Sequence, residues 1–485
     1  MKINSVYKKG DKFGVITGQA PIENLVFEGG GPKGLVYVGA ADVLEKKGVL
    51  ETVKNVGGSS AGAMTALAIG LGYNAKNIKE IVWDVDLNDF KDILPEEKTG
   101  IWGWFSTVKG AIENLSFKTE DKGRGLFLGE KLENWAKHII QQRIESAYEF
   151  AKESVSLSEN SDAKIIEAIL LKKYFPSKLF SSYQQALEEY SKGSKQWQKV
   201  VFIREIVSNK EFKKTLAKRY EFVSELRAKN GGILFSEYGQ LRNYFPELEL
   251  SNICFTGTNY TDQKLEIFSE FTTPSMPVAT AVRISMSLPW VFKSVIYNGK
   301  EYVDGGVLNN YPMSIFDSFP YFEAGINLLT TGALKQNLST LGFRVDSDDE
   351  IKNIFWNSAK QKQPGILEKI SNEFWGAYYA FRDTVLVGVD TQAPVENNRM
   401  ETYEKYSHLT VQINDKEYST YNFDLDESDK KILQASGEAS TAAWFDLYYD
   451  GSTGIEIEVN KPSDLLPHMS VRELEQAKKQ FPEYF

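Results

Sequence analysis

Ser60 is the residue of this sequence whose surroundings are best suited to chemistry. It lies in Gly58-x-Ser60-x-Gly62, which has the spacing of a nucleophile elbow. In such an elbow a strand turns sharply into a helix, and the serine hydroxyl projects from the turn into a site. The flanks fit, because residues 53–56 are β-prone and residues 61–71 are small or apolar, as in a buried helix. The spacing is short and also arises by chance in ordinary tight turns, so both interpretations stay open.

A glycine-rich loop precedes the elbow. Residues 25–28 predict a buried strand, residues 29–34 read GGGPKG, and a helix is predicted from about residue 35 to residue 46. A loop of this kind presents backbone N–H groups, with the positive end of a helix dipole behind them. Such an arrangement binds anions, including the oxyanion that forms during acyl transfer.

The same loop allows a second interpretation. Gly29, Gly31 and Gly34 also satisfy the G-x-G-x-x-G fingerprint of dinucleotide-binding proteins, and Glu51 lies 20 residues after Gly31. This would make the protein a nucleotide-binding oxidoreductase. Pro32 within the loop and the elbow on the next predicted strand count against that alternative.

A carboxylate completes the set of candidate groups. Asp304 follows the β-prone residues 301–303 and is followed by Gly305 and Gly306. This pattern predicts a carboxylate at the end of a strand, with glycines that allow another segment to approach closely.

In this order, the three motifs resemble those of the patatin-like phospholipase family. That family is marked by a G-G-G-x-[KR]-G loop, a G-x-S-x-G elbow and a D-G-[GA] motif. Further similar stretches include residues 125–132, 281–289, 309–312 and 422–437, so the resemblance spans roughly residues 22–445. It implies an α/β protein with a three-layer patatin-like fold, a mainly parallel central sheet and a helical insertion.

The resemblance also implies a mechanism. Ser60 would form a covalent acyl ester, and Asp304 would be the base of a Ser–Asp dyad. The implied oxyanion hole comprises Gly29, Gly30 and Gly31, in which the amides of Gly30 and Gly31 are the donors and Ala61 is an additional one. Lys33 stands where arginine is common in the family and keeps the positive charge. The other motif residues are Gly34, Gly58, Gly62, Gly305 and Gly306.

A histidine-dependent triad is the competing mechanism. The chain has three histidines, His138, His408 and His468, of which His408 is the best candidate because it follows Asp304 and precedes a predicted strand. No metal or other cofactor is expected. The acidic clusters at residues 346–350 and 424–427 lack the regular spacing of a calcium loop and are predicted to be solvated turns.

Composition limits the partners and the compartment. The 485 residues are 42% hydrophobic and 25% charged, which is typical of a soluble globular protein, and the net charge of −10 argues against nucleic acid as a partner. The single cysteine, Cys254, is predicted to be a core thiol. Neither a signal peptide nor a run of 18 apolar residues is visible, so a cytoplasmic or peripheral membrane location is expected, and leaderless secretion stays open.

The family resemblance makes phospholipids, or other acyl-ester lipids at a membrane surface, the expected substrates. An activating protein is a further expected partner, because some bacterial members of the family are inactive until a host protein binds. The predicted domains are an N-terminal extension (1–21), an acyl hydrolase domain (22–450) and a C-terminal tail (451–485).

Residues 141–230 hold one glycine and one proline and show helical periodicity, so they are predicted to form an inserted cap, a regulatory lobe or a structural elaboration. The aromatic-rich residues 95–118 suit either a lid or a core segment. Other predicted elements are a strand pair at 253–257 and 265–268, one strand at 294–303, a strand at 409–411, and helices near 350–386, 428–448 and 470–480.

Overall fold

The computed structural model describes residues 3–9, 12–17, 22–83, 127–157, 162–190, 194–208, 211–289, 291–317, 328–331, 334–337, 339–347, 406, 409–418, 424–449 and 455–460. The strands are β1 (Ile3–Lys9), β2 (Lys12–Thr17), β3 (Asn24–Phe27), β4 (Asn55–Gly58), β5 (Asn252–Asn259), β6 (Lys264–Phe268), β7 (Val295–Tyr297), β8 (Lys300–Asp304), β9 (Leu328–Thr331), β10 (Leu334–Asn337), β11 (Thr340–Asp346), β12 (Thr410–Asn414) and β13 (Ile455–Val459).

The α-helices are α1 (Val36–Lys46), α2 (Val49–Thr52), α3 (Ala61–Gly70), α4 (Ala75–Trp83), α5 (Glu130–Leu157), α6 (Ala163–Tyr174), α7 (Tyr183–Glu189), α8 (Lys195–Ser208), α9 (Phe212–Arg227), α10 (Phe235–Tyr244), α11 (Val278–Ser285), α12 (Gly306–Asn309) and α13 (Glu427–Tyr448). Three short 3-10 helices lie at Gly31–Leu35, Pro246–Leu248 and Met313–Phe316.

A mainly parallel sheet carries the predicted motifs. Its strand order is β12-β11-β3-β4-β5-β8-β7, and β6 also pairs with β5. The strands from β12 to β5 run parallel, whereas β6, β7 and β8 add antiparallel pairs at one end. β3 and β4 are buried throughout, as is usual for parallel strands covered on both faces. The predicted mixed α/β fold with a mainly parallel central sheet is therefore confirmed.

Alternate residues of β3 face two different cores. Leu25 and Phe27 belong to the larger core, which also contains the buried faces of α1, α3, α5, α10, α11 and α13. Val26 belongs to a second core with Cys254 and with the segment that contains Met313 and Phe316. The predicted burial of the single thiol is confirmed. Both faces of the sheet are thus closed, which explains why the strands read as continuous apolar runs.

The strand predicted for residues 294–303 is wrong, because the structure has a β-hairpin there. β7 and β8 pair in antiparallel fashion, and Tyr297 lies opposite Lys300. Asn298 and Gly299 form the turn with φ values of 48° and 75°. Asn-Gly is the residue pair that a two-residue hairpin with positive φ at both positions favours, so the signal was present in the sequence.

The two ends of the chain meet in a second sheet. β2 pairs with β1 on one side and with β13 on the other, both antiparallel. The predicted N-terminal extension and C-terminal tail therefore share one three-stranded sheet, at least over the residues described there.

The predicted helical insertion divides into two parts that belong to different cores. α5 begins at Glu130, before the predicted boundary, and its buried residues pack into the main core, as do Val223 and Leu226 of α9. Helices α6, α7 and α8, together with Leu216 of α9, form a separate apolar cluster that includes Ile166, Phe175 and Ile203. The described residues between 162 and 208 are called the helical lobe below. The helical lobe and Leu216 thus have a core of their own, whereas other parts of the predicted insertion 141–230 belong to the main core.

Polar contacts hold the helical lobe against the edge of the sheet where β4 and β5 begin. The Lys195 ammonium donates to the carbonyl oxygen of Leu50 at 2.9 Å, just ahead of β4. Lys199 forms an ion pair with Glu249, just ahead of β5. Ser60 follows the other end of β4, so these contacts do not fit a cap over the predicted site.

A buried ion pair lies at the same junction. The Arg219 Nη2 and Glu247 Oε1 atoms are 2.6 Å apart, and the two side chains are 2% and 1% exposed. The guanidinium lies between the rings of Phe202 and Phe245, at 4.2 and 4.4 Å from their centroids. Tyr174 also donates to Glu247 at 3.0 Å. The pair therefore joins α6, α8 and α9 to the segment that leads into β5.

No helix among the described residues is long and apolar enough to cross a membrane. The aromatic segment 95–118 and the predicted helices near 350–386 and 470–480 lie outside the described residues.

Replacing Glu247 by glutamine should destabilise the protein strongly. Glu247→Gln leaves the Arg219 charge buried without its counter-ion, a change that typically costs about 3–5 kcal/mol. Urea unfolding would measure the loss of unfolding free energy. Glu221→Gln on α9 is the control, because Glu221 is exposed and should change that free energy by less than about 0.5 kcal/mol. Equal effects of the two variants would contradict the assignment of Arg219–Glu247 as the anchor.

Candidate active site

Ser60 occupies a strained turn between β4 and α3. Its backbone has φ 51° and ψ −126°, a combination rarely adopted by a non-glycine residue. The Ser60 N–H donates to the hydroxyl of Ser285 at the end of α11, at 3.1 Å. Every residue of α3 is buried, so the helix cannot relax outward to relieve the turn. The elbow predicted from the sequence is present at this point.

The two elbow glycines lie where the α3 backbone crosses its neighbours. A Cβ atom added to Gly58 would lie 2.4 Å from the carbonyl of Gly62. A Cβ atom added to Gly62 would lie 2.2 Å from the carbonyl oxygen of Phe27 in β3. Larger residues at either position would push the helix away from the sheet and move Ser60.

The oxyanion loop (residues 29–34) leads from β3 into a 3-10 helix that starts at Gly31, ahead of the predicted helix start. A Cβ atom on Gly29 would lie 2.9 Å from the Cβ of Ser60, so the loop passes directly beside the elbow. The Gly29 amide donates to the carbonyl oxygen of Asn310 at 3.0 Å and is therefore not a free donor. In the described part of the chain, the amides of Gly30, Gly31 and Ala61 have no such acceptor.

Gly34 closes the same loop against α3. A Cβ atom on Gly34 would lie 2.9 Å from the Cβ of Ala61, the residue that follows the serine. The loop and the elbow are therefore packed backbone to backbone, which fixes the free amides relative to the Ser60 hydroxyl.

Asp304 ends β8 and is 1% exposed. Its Oδ1 accepts the N–H of Gly306 at 2.7 Å, and its own N–H donates to the carbonyl oxygen of Ser287 at 3.0 Å. The Ser60 hydroxyl is close enough to lower the pKa of the Asp304 carboxyl by hydrogen bonding. Oδ2 has no hydrogen-bond partner of good geometry within the described residues. The elbow and the aspartate motif, 244 positions apart in the sequence, thus meet here.

Burial determines the basicity of Asp304. Removal from water disfavours the carboxylate and raises the pKa of Asp304 to about 7, against the smaller lowering by the hydrogen bonds of Gly306 and Ser60. A carboxylate with this pKa is a much stronger base than a free aspartate and is still largely ionised slightly above neutral pH. Asp304 is therefore suited to accept a proton from Ser60.

Lys33 is part of an ion pair. Its ammonium lies 2.8 Å from Oδ2 of Asp415, whose side chain is 3% exposed at the end of β12. The charge of Lys33 is thus compensated within the protein, and the ion pair fastens the oxyanion loop to the β12 edge of the sheet. Asp415 carries no motif and lies 382 positions from Lys33, so the sequence gives no sign of this pairing.

The geometry bears on His138 and on the dinucleotide fingerprint, two of the alternatives weighed from the sequence. His138 is exposed on α5 and shares a hydrogen bond with Gln142, whereas His408 and His468 lie outside the described residues. Glu51 lies ahead of β4 and accepts a bond from Gln196, at the sheet edge opposite the oxyanion loop. It is therefore not placed to bind a ribose beside that loop, as the dinucleotide alternative requires.

One acidic cluster differs from its prediction. Asp346 is not in a solvated turn, because it ends β11, is fully buried and accepts a bond from the Arg344 guanidinium at 2.9 Å. Asp426 instead caps α13 by accepting the amides of Ser428 and Asp429. Among the residues described, no group of three or more metal-ligating side chains comes together.

Replacing Asp304 by asparagine should stabilise the protein in a pH-dependent way. The pKa of Asp304 is about 7 in the folded protein and about 4 in an unfolded chain. The unfolding free energy of wild type is therefore highest below pH 4 and falls as the pH rises to 7. That difference corresponds to roughly 4 kcal/mol. The unfolding free energy of Asp304→Asn should therefore rise by roughly this amount relative to wild type between pH 4 and pH 8.

Urea unfolding at several pH values checks this expectation, with Asp262→Asn as the control. Lys300 lowers the pKa of the exposed Asp262, so the unfolding free energy of that variant relative to wild type should not depend on pH between pH 4 and pH 8. If the difference in unfolding free energy between Asp304→Asn and wild type did not depend on pH, it would contradict a buried Asp304 with a raised pKa.

Comparison with known proteins places this geometry in a family. YqhO of Bacillus subtilis, an uncharacterized protein, is 48% identical over 122 residues, or 24% of this chain and 36% of YqhO. The probable lipid hydrolase 463L of Invertebrate iridescent virus 6 is 40% identical over 57 residues, or 12% of this chain and 20% of that protein. This chain thus matches about a third or less of the length of these curated relatives.

The crystal structure of VipD from Legionella pneumophila is similar to this protein, with a TM-score of 0.48 and 18% sequence identity. The alignment covers 99% of this chain and 74% of VipD. The family model described as patatin-like phospholipase matches residues 25–317, more than half of the chain. Since this range contains the oxyanion loop, the elbow and the aspartate motif, the protein belongs to the patatin-like phospholipase family.

Proposed function

We propose that the protein is a lipid acyl hydrolase of the phospholipase A or lysophospholipase type, which cleaves carboxylic esters through a Ser60–Asp304 dyad. The observation that carries this proposal is the contact between a serine on a strained elbow and a buried carboxylate whose pKa is raised to about 7. A serine hydroxyl is a weak nucleophile, and a base at this position makes it reactive.

The proposed reaction has two halves. Asp304 accepts the Ser60 proton as Oγ attacks the ester carbonyl carbon, and the N–H groups of Gly30 and Gly31 stabilise the resulting oxyanion. Collapse of this intermediate breaks the bond to the alcohol oxygen, which receives the proton from Asp304. A water molecule then attacks the acyl-Ser60 ester with Asp304 again as base, and the free fatty acid leaves with Ser60 restored.

The surroundings of Ser60 support an acyl substrate. Met64 lies one helical turn after Ser60 on α3 and belongs to an apolar cluster with Met286, next to Ser285. The other buried members of the cluster are Phe127, Leu132 and Phe292. Side chains of this kind accept a hydrocarbon chain, and the flexible methionines adapt to its shape. A lipid ester of this class resides in a membrane, so the proposal includes reversible binding at a membrane surface.

Ser60→Ala should abolish both hydrolysis and covalent labelling. The variant removes the only atom proposed to carry the acyl group, so turnover of a short-chain ester and of phospholipid vesicles should fall by at least about 1,000-fold. Labelling by a fluorophosphonate, which reacts with activated serines, should disappear. Circular dichroism would verify that the fold is kept.

Ser59→Ala is the matched control, because Ser59 is adjacent and buried but is assigned no chemistry. It should keep both turnover and labelling. A folded Ser60→Ala protein that is still labelled, or a wild-type protein that neither hydrolyses esters nor takes up label, would contradict the proposal.

A further inference from the structure

Asn310 joins the oxyanion loop to the segment that carries Asp304. It directly follows α12 and lies six residues after Asp304. The Nδ2 atom of its side chain donates to the carbonyl oxygen of Gly29 at 2.9 Å. Its backbone carbonyl oxygen accepts the N–H of Gly29 at 3.0 Å. One residue therefore holds both polar groups of Gly29.

The bond to the Gly29 carbonyl fixes the direction of the neighbouring amide. In a trans peptide the carbonyl oxygen and the following N–H point in opposite directions. Because the Gly29 oxygen points to Asn310, the Gly30 N–H on the same peptide plane points away from Asn310. Gly30 has no acceptor for this N–H among the described residues, so the group is left as a donor beside the elbow.

Glu28 fixes the side-chain amide of Asn310. Nδ2 also donates to Glu28 Oε1 at 3.2 Å, so both of its partners are acceptors and the amide cannot flip without losing them. Glu28 is 1% exposed, and its Oε2 accepts the N–H of Val345 in β11 at 2.8 Å. The orientation of Asn310 is therefore set by a buried carboxylate that is itself fixed to the sheet.

Two motif glycines leave the room that this side chain needs. A Cβ atom on Gly29 would lie 2.3 Å from Asn310 Oδ1, and a Cβ atom on Gly306 would lie 2.5 Å from the same oxygen. The oxyanion loop and the aspartate motif thus each place a glycine against one amide, although 277 positions separate these glycines.

We propose that Asn310 is a positioning residue, which directs the Gly30 amide toward the oxyanion and couples the oxyanion loop to the segment that carries the base. This inference rests on the proposed function. It predicts that Asn310 acts on the transition state rather than on substrate binding, because the oxyanion exists only after Ser60 attacks.

Asn310→Asp and Asn310→Ala test this role in the full-length protein, with a short-chain ester as the substrate. Both remove the donor to the Gly29 carbonyl, and kcat should fall roughly 100-fold, as when an oxyanion donor is lost, while KM changes less than about threefold. The pH of half-maximal kcat in Asn310→Ala should stay where wild type has it, because that variant adds no charge near Asp304. Asn309→Asp is the matched control and should keep wild-type kcat, since the Asn309 side chain makes no bond to the loop among the described residues.

A double variant separates positioning from simple stability. Asn310→Asp places a carboxylate against Glu28, so the melting temperature should fall. Adding Glu28→Gln supplies a donor that faces the introduced carboxylate while its oxygen still accepts from Val345, and the melting temperature should recover. The Gly29 carbonyl still lacks its donor, so kcat should stay low.

Recovery of kcat together with the melting temperature would overturn the proposal, as would wild-type kcat in both Asn310 variants. These outcomes leave the proposed function intact, provided that wild type is active and Ser60→Ala is not. An inactive and unlabelled wild-type protein would instead remove the proposed function and this inference together.

Discussion

The burial of one carboxylate is the constraint on which the site depends. Asp304 is almost without contact with solvent, and this burial gives it the basicity that an exposed aspartate lacks. The same burial requires that the neutral and the charged carboxyl both find polar partners, which the Gly306 amide and the Ser60 hydroxyl supply. In the proposed dyad, this aspartate takes the part that histidine plays in triads.

Geometry brings the other parts to this carboxylate. The oxyanion loop follows β3 and the elbow follows β4, and the carboxyl ends of neighbouring parallel strands meet at one edge of the sheet. Backbone-to-backbone packing at Gly58 and Gly62 then fixes the position of Ser60 relative to the sheet. Two long-range polar contacts hold the loop, one from Asn310 on the Asp304 side and one between Lys33 and Asp415 on the β12 side.

The helical lobe is attached elsewhere. Its ion pairs and its buried lysine contact the beginnings of β4 and β5, away from the edge that carries Ser60. Within the described part of the chain, the lobe is linked to the main core through those strands, through α9 and through α5, whose buried residues belong to that core.

Local patterns predicted the parts of this structure that local forces decide. The elbow, the strands before it and before the oxyanion loop, and α13 follow from residue type and spacing, and so does the mainly parallel sheet. The direction of the Gly29 peptide groups could not be predicted, because it depends on a residue 281 positions away. Helical periodicity likewise shows that α5 and α9 are helices but not which core they join. The Asn298–Gly299 pair, in contrast, is a local signal for the turn between β7 and β8.

One measurement tests most directly the central claim, that Asp304 and not a histidine activates Ser60. It is the rate of fluorophosphonate labelling of Ser60 as a function of pH, in a protein in which His138, His408 and His468 are all replaced by alanine. A Ser60–Asp304 dyad predicts that the triple variant is labelled at nearly the wild-type rate, and that this rate rises with pH through a single inflection near 7 as Asp304 loses its proton. A folded triple variant that takes up no label, or one that loses the inflection present in wild type, would contradict the dyad.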